Sequence, residues 1–189
     1  MELAHNLKIY MTNKITLILI LFFCLSSCST NNMKSQSTGQ EIYNFKLSDS
    51  DYTILDYKKD WDWMFKNARP TELSQKELSE IETIIEFAVK ENNDQQKVKL
   101  EKHNQGLPST VRKRTGFEIT LDSMKRQYVP IMNVKGEKEV WINLFCDAAG
   151  FDTWKYTLML AEDGGNCFFN LKVNLQTKSY YDLRINDAE

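Results

Sequence analysis

The chain has 189 residues, a formal charge of -2, 42% hydrophobic and 26% charged side chains, with only 7 Gly and 3 Pro. These values fit one globular domain and exclude collagenous and low-complexity classes. The near-neutral balance argues against a nucleic-acid partner, which usually meets a basic domain.

The N-terminus reads as an address. After Met11 comes a short polar and basic stretch ending in Lys14, then the apolar run Ile15 to Leu25, too short to span a bilayer. The run ends in Leu25-Ser26-Ser27-Cys28. Here the chain resembles bacterial lipoprotein signal peptides, whose lipobox is an aliphatic residue, two small residues and a cysteine. The resemblance implies cleavage before Cys28 and lipid attachment to its thiol. Residues 1–27 are then a signal peptide, and residues 28–40 are a polar tether too poor in aliphatics to fold alone. Removing residues 1–27 takes away two Lys and one Glu and leaves a formal -3, so the lipid has to do the anchoring.

Residues 41–189 read as a single α+β domain. Glu41 to Arg69 is aromatic-rich, and Asp60 to Phe65 alternates as a short strand or an aromatic plug. A helix follows over Gln75 to Asn92. Ser74 and Glu77 form a capping box, with Leu73 and Leu78 as its hydrophobic staple. Leu78, Ile81, Ile84, Ile85, Ala88 and Val89 make one apolar stripe, with Glu80, Glu82, Glu86 and Lys90 opposite. Asn92-Asn93-Asp94 is expected to stop the helix. Gln95 to Gly116 reads as a basic, solvated loop, with an anionic-ligand patch as the sharper alternative. Phe117 to Leu121 alternates as a strand or forms a short helical turn.

From Lys125 the chain reads as consecutive antiparallel strands. The first spans Tyr128 to Met132, with Pro130 marking an edge or bulge. The second carries Val140, Ile142, Leu144 and Cys146 on one face, and the third Trp154, Tyr156, Leu158 and Leu160. Asp163-Gly164-Gly165-Asn166 suits a type I′ hairpin. The fourth strand carries Cys167, Phe169, Leu171, Val173 and Leu175, and the last Tyr181, Leu183 and Ile185. The expected fold is one main helix packed on a twisted antiparallel β-meander, cystatin-like or nuclear-transport-factor-like in outline, with one face buried and one mostly wet. Such an analogy carries no activity.

Candidate chemistry is sparse. In this meander Cys146 and Cys167 lie at opposite ends of the sheet, which favours two buried thiols over a disulfide. His103 is the one histidine after Cys28 and stands far in sequence from both. No ligand spacing for a metal and no cofactor motif is present, and Asp60 with Asp62 makes no calcium loop. Trp141, Phe145, Met159, Phe168 and Tyr180 fall on the sheet face away from the helix. They form a partner face for an envelope protein or glycan unless Tyr43, Phe45, Trp61 and Trp63 cover them.

Arg126 to Pro130, Gly136 to Asn143 and Asp163 to Phe169 also resemble segments of a family of small, uncharacterised bacterial lipoproteins. That resemblance implies envelope localisation and transfers no catalytic residue. The expectation is a lipid-anchored envelope protein that binds or inhibits another macromolecule without catalysis. The alternative is a small-ligand protein or enzyme using a pocket between helix and sheet.

Overall fold

The computed structural model describes residues 47–146 and 152–187. The lipobox, Cys28, the tether, Tyr43 and Phe45 lie outside them. The described residues belong to one compact unit, Asn44–Glu189.

The elements in order are β1 (Tyr52–Ile54), β2 (Arg69–Pro70), α1 (Gln75–Gly106), β3 (Lys125–Met132), β4 (Lys138–Phe145), β5 (Phe168–Asn174) and β6 (Ser179–Ile185). The sheet runs β1-β3-β4-β5-β6, with β2 also pairing β3. The β3-β4-β5-β6 meander is antiparallel, as the alternation predicts. The short β1 adds parallel to β3, so the whole sheet is mixed.

The start of α1 matches its sequence signals. The Ser74 hydroxyl accepts from the Glu77 N–H at 3.3 Å, and the Glu77 carboxylate accepts from the Ser74 N–H at 2.8 Å. Leu78, Ile81, Ile85, Ala88 and Val89 pack on Tyr128, Val140, Ile142, Leu144, Phe169, Leu171 and Val173 from the sheet. The predicted stop at Asn92 does not hold, because the helix runs on to Gly106. Asn92 and Asn93 instead turn their amides outward to hold the returning chain. They donate to the Phe117 and Ile119 carbonyls at 2.8 Å each, and Asn93 Oδ1 accepts from the Ile119 N–H at 2.8 Å. Residues 117–121, expected as a strand or helical turn, are thereby tied to side chains of α1.

Pro130 lies inside the sheet. The Arg126 N–H reaches Asp51 and the Tyr128 carbonyl accepts from Leu55, so even-numbered residues of β3 direct their backbone toward β1. By that alternation the Pro130 nitrogen falls beyond the end of β1 and before the start of β2, where no donor is required.

Three expectations about the sheet need correction. Residues Trp154 to Leu160 form no strand. Asp152–Lys155 is a 3-10 turn, and an irregular segment follows. With that strand gone, β4 pairs directly with β5, placing Phe145 opposite Phe168 and the Cys146 N–H on the Cys167 carbonyl at 2.8 Å. Cys146 and Cys167 are consequently neighbours and form a disulfide, with Cα atoms 5.0 Å apart. The expectation of two separated thiols fails because it counted a strand that is not there. Gly164 and Gly165 do adopt the positive φ that the turn reading required, but they lead into a 3-10 turn ahead of β5. Gly164 also faces the Phe168 ring, and a Cβ there would sit 2.6 Å from a ring carbon.

Candidate functional site

The outer sheet face is covered unevenly. Over β3 and β4 it is closed by the segment before α1: Leu55, Tyr57, Met64 and Phe65 pack on Val129, Ile131 and Trp141. The Asp60–Phe65 stretch is thus an aromatic plug built from a 3-10 turn and bends, with no strand. Asp62 is used locally, accepting from the Asn67 N–H at 2.8 Å, and no group of three metal-ligating side chains occurs among the described residues.

Further along the same face, two buried amides stand in for a strand edge. Gln127 Nε2 donates to the Trp154 and Thr157 carbonyls at 2.6 and 2.8 Å, and its Oε1 accepts from the Met159 N–H at 2.9 Å. Asn143 donates to the Met159 carbonyl at 2.6 Å. These bonds seat residues 154–159 on the sheet and place Trp154 edge-on against Phe145, with ring centroids 5.7 Å apart.

The five residues expected as a partner face are therefore split. Trp141 and Phe145 are buried, Trp141 beneath Trp63 and Phe145 between Trp154 and a stacked Phe168. Met159 and Phe168 are half-buried. Tyr180 is on the other face: it packs with the α1 core, and its ring meets Phe87 at 6.3 Å. The cause is a bulge. Lys172 pairs with Tyr181 but Asn170 pairs with Arg184, and Asp182 takes φ 52° to absorb the extra residue. Tyr180, Leu183 and Ile185 face the helix, while Tyr181 turns outward.

The outer face of β5 and β6 is the open part. Lys172 lies at its centre, 5.1 Å from the Phe65 ring centroid and 5.5 Å from that of Tyr181. It is also paired with Asp182 at 3.0 Å. Trp63 is 57% exposed and Tyr181 37%. The Tyr181 hydroxyl donates to Glu139 at 2.9 Å, and burial beside that carboxylate raises its pKa well above the ordinary tyrosine value. Asn133 and Asn174 bond both Glu137 and Glu139. Those two amides hold the Glu137 carboxyl below its usual range. The resulting surface is a cation flanked by aromatic rings and braced by a polar cluster.

No family model, curated protein or solved structure matches the chain. The geometry alone bears on what the surface does.

Between helix and sheet the sequence missed one polar group. Glu82, read as solvent-facing, is 1% exposed. Its carboxylate accepts from Arg126 Nε at 3.0 Å and from the Tyr128 hydroxyl. Arg126 also donates to the Met124 carbonyl at 2.6 Å. Burial pushes the Glu82 carboxyl upward against the pull of Arg126, and raises Tyr128 further beside it. The signal was present in the spacing: Glu82 lies four residues after Leu78 and three before Ile85, on the apolar stripe. These groups satisfy one another inside a packed core. Space at the helix–sheet boundary lies farther along, in a cleft of about 420 Å³ lined by Asn92, Gln96, Lys99, Phe117, Tyr180 and Leu183.

Proposed function

We propose that the protein is a lipid-anchored bacterial envelope protein, and that its domain is a non-catalytic module binding an envelope macromolecule, protein or glycan, through the open outer face of β5 and β6. The partly exposed Tyr181 beside Lys172, with the exposed Trp63 over Trp141, the β4 residue paired with Lys172, carries this reading. Partially exposed aromatics beside a cation supply apolar area and directional contact at low entropy cost, which is why such residues dominate binding hot spots. The Cys146–Cys167 disulfide supports export, since disulfides persist in oxidising compartments. The lipobox supports attachment at Cys28.

Photo-cross-linking from position 170, beside Lys172 on β5, in intact envelopes tests the binding face. A discrete adduct that disappears in Trp63→Ala and Lys172→Glu is expected. Failure to capture any protein or glycan in repeated trials sinks the reading. Anchoring is tested separately by radioactive palmitate, which Cys28→Ser should no longer incorporate.

The cleft beside Gln96 and Lys99 supports a second reading, a small-ligand protein or enzyme. Protection of that cleft by a low-molecular-weight envelope extract, with no adduct at position 170, would favour it.

A further inference from the structure

Residues 95–114 contain six cations, Lys97, Lys99, Lys102, Arg112, Lys113 and Arg114, against one acid, Glu101. In the sequence they look like a solvated basic run. The structure gathers them at one end of the domain. The three lysines lie on α1 after Gln96, the last buried residue of that helix. The chain then reverses: the Leu107 N–H caps the His103 carbonyl, and Pro108–Thr110 forms a 3-10 turn. Asn104 clasps the returning backbone, donating to the Arg112 carbonyl at 2.9 Å and accepting its N–H at 2.8 Å. Thr115 closes the return on Gln96 at 2.9 Å. Arg112 to Arg114 are thus folded back beside the turns that carry the lysines.

All six side chains are exposed, and none takes part in an ion pair among the described residues. Elsewhere several cations are matched to acids, as with Lys125 and Asp51, Lys138 and Glu77, or Lys172 and Asp182. The same end exposes three aliphatic side chains, Val98 at 64%, Leu107 at 51% and Val111 at 69%. One exposed aliphatic is ordinary, but here three are interleaved with six cations that form no ion pair among the described residues, a mixture of apolar and basic side chains that suits an interface.

We propose that this end of the domain docks on an anionic phospholipid surface, with the six cations at the headgroups and Val98, Leu107 and Val111 entering the interface. Charge complementarity selects this occupant. The remainder of the chain is net acidic, so an anionic surface attracts this end and repels the others, which also orients the molecule. A fluid headgroup layer demands no fixed partner geometry, and these side chains adopt none among themselves. The docking rests on the membrane location proposed above but not on the lipid itself.

The test uses residues 28–189 with Cys28→Ser, which keeps the compact unit Asn44–Glu189 whole and cannot be acylated. Sedimentation is measured with vesicles of phosphatidylglycerol and phosphatidylethanolamine, and with phosphatidylcholine alone. Binding to the anionic vesicles only, weakening as salt rises, is expected. Each basic residue at such a surface contributes roughly fivefold, so Lys99→Gln with Arg112→Gln and Arg114→Gln lowers partitioning on the order of 100-fold. Val111→Ser weakens it at unchanged charge, and both variants keep the wild-type melting transition. Equal binding to phosphatidylcholine, full binding by the triple variant, or retention only on a soluble acidic polysaccharide overturns the proposal. Loss of palmitate labelling bears on the anchor alone and leaves this result standing.

Discussion

Glu82 is held by Arg126 and Tyr128 where little water reaches it. A buried ion pair contributes little net stability, yet removing one partner strands the other charge. Glu82→Leu is therefore expected to cost about 3–5 kcal/mol in urea denaturation, and pairing it with Arg126→Met to recover part of that loss. A cost below about 1 kcal/mol for the single change would show that the Arg126 charge stays compensated without Glu82. At this scale the sequence was legible wherever chemistry and spacing agreed, as at Ser74 and Glu77. It misled at Glu82, where residue type suggested solvent and helical spacing pointed inward.

The α1 cap couples an element to the sheet, since Lys138 Nζ reaches Glu77 at 2.6 Å and the Glu72 carbonyl at 3.0 Å. Burial would raise the Glu77 carboxyl, but Lys138 and the Ser74 N–H outweigh it, so the folded pKa lies below the usual 4.5. The native state then holds fewer protons than the unfolded chain. Its stabilisation is complete above about pH 4.5 and lost as pH falls through the lowered folded value. Ser74→Ala should cost about 1 kcal/mol at neutral pH. The stability gap between wild type and Glu77→Gln should narrow in melts below about pH 4. The other end of α1 was illegible, because Asn92 and Asn93 look like a stop until their partners at Phe117 and Ile119 are known. Likewise Trp154 to Leu160 alternates as a strand would, but Gln127 and Asn143 supply its partners from side chains. Asn143→Leu should speed hydrogen exchange at residues 156–159 while leaving β4 protected, and uniform loss of protection would instead mean global destabilisation.

Across the whole molecule, the meander and the helix stripe were readable because one face of every strand from β3 to β6 meets α1. The second cover was not. It comes from two segments far apart in sequence, residues 55–65 and 154–159, with no periodicity of their own. Their effect shows in β3 and β4, which are buried along almost every residue, whereas β5 alternates and β6 stays largely open. The missed bulge at Asp182 then placed Tyr180 and Tyr181 on the wrong faces. The disulfide stood or fell with the same false strand. It spans 21 residues, and a loop of that size implies about 3 kcal/mol from restricting the unfolded chain. Replacing both cysteines by Ala should lower stability by that order in guanidinium titrations, and an unchanged midpoint would mean the bond is absent in solution.

The bond also determines what a protease leaves behind. A cut anywhere between Cys146 and Cys167 releases nothing, because the two pieces stay joined through sulfur and through the β4–β5 ladder. Such a nick changes the mass by one water and is visible as two bands only after reduction. The connection between Cys146 and Cys167 is thus a part of the chain that can be severed while the domain stays in one piece.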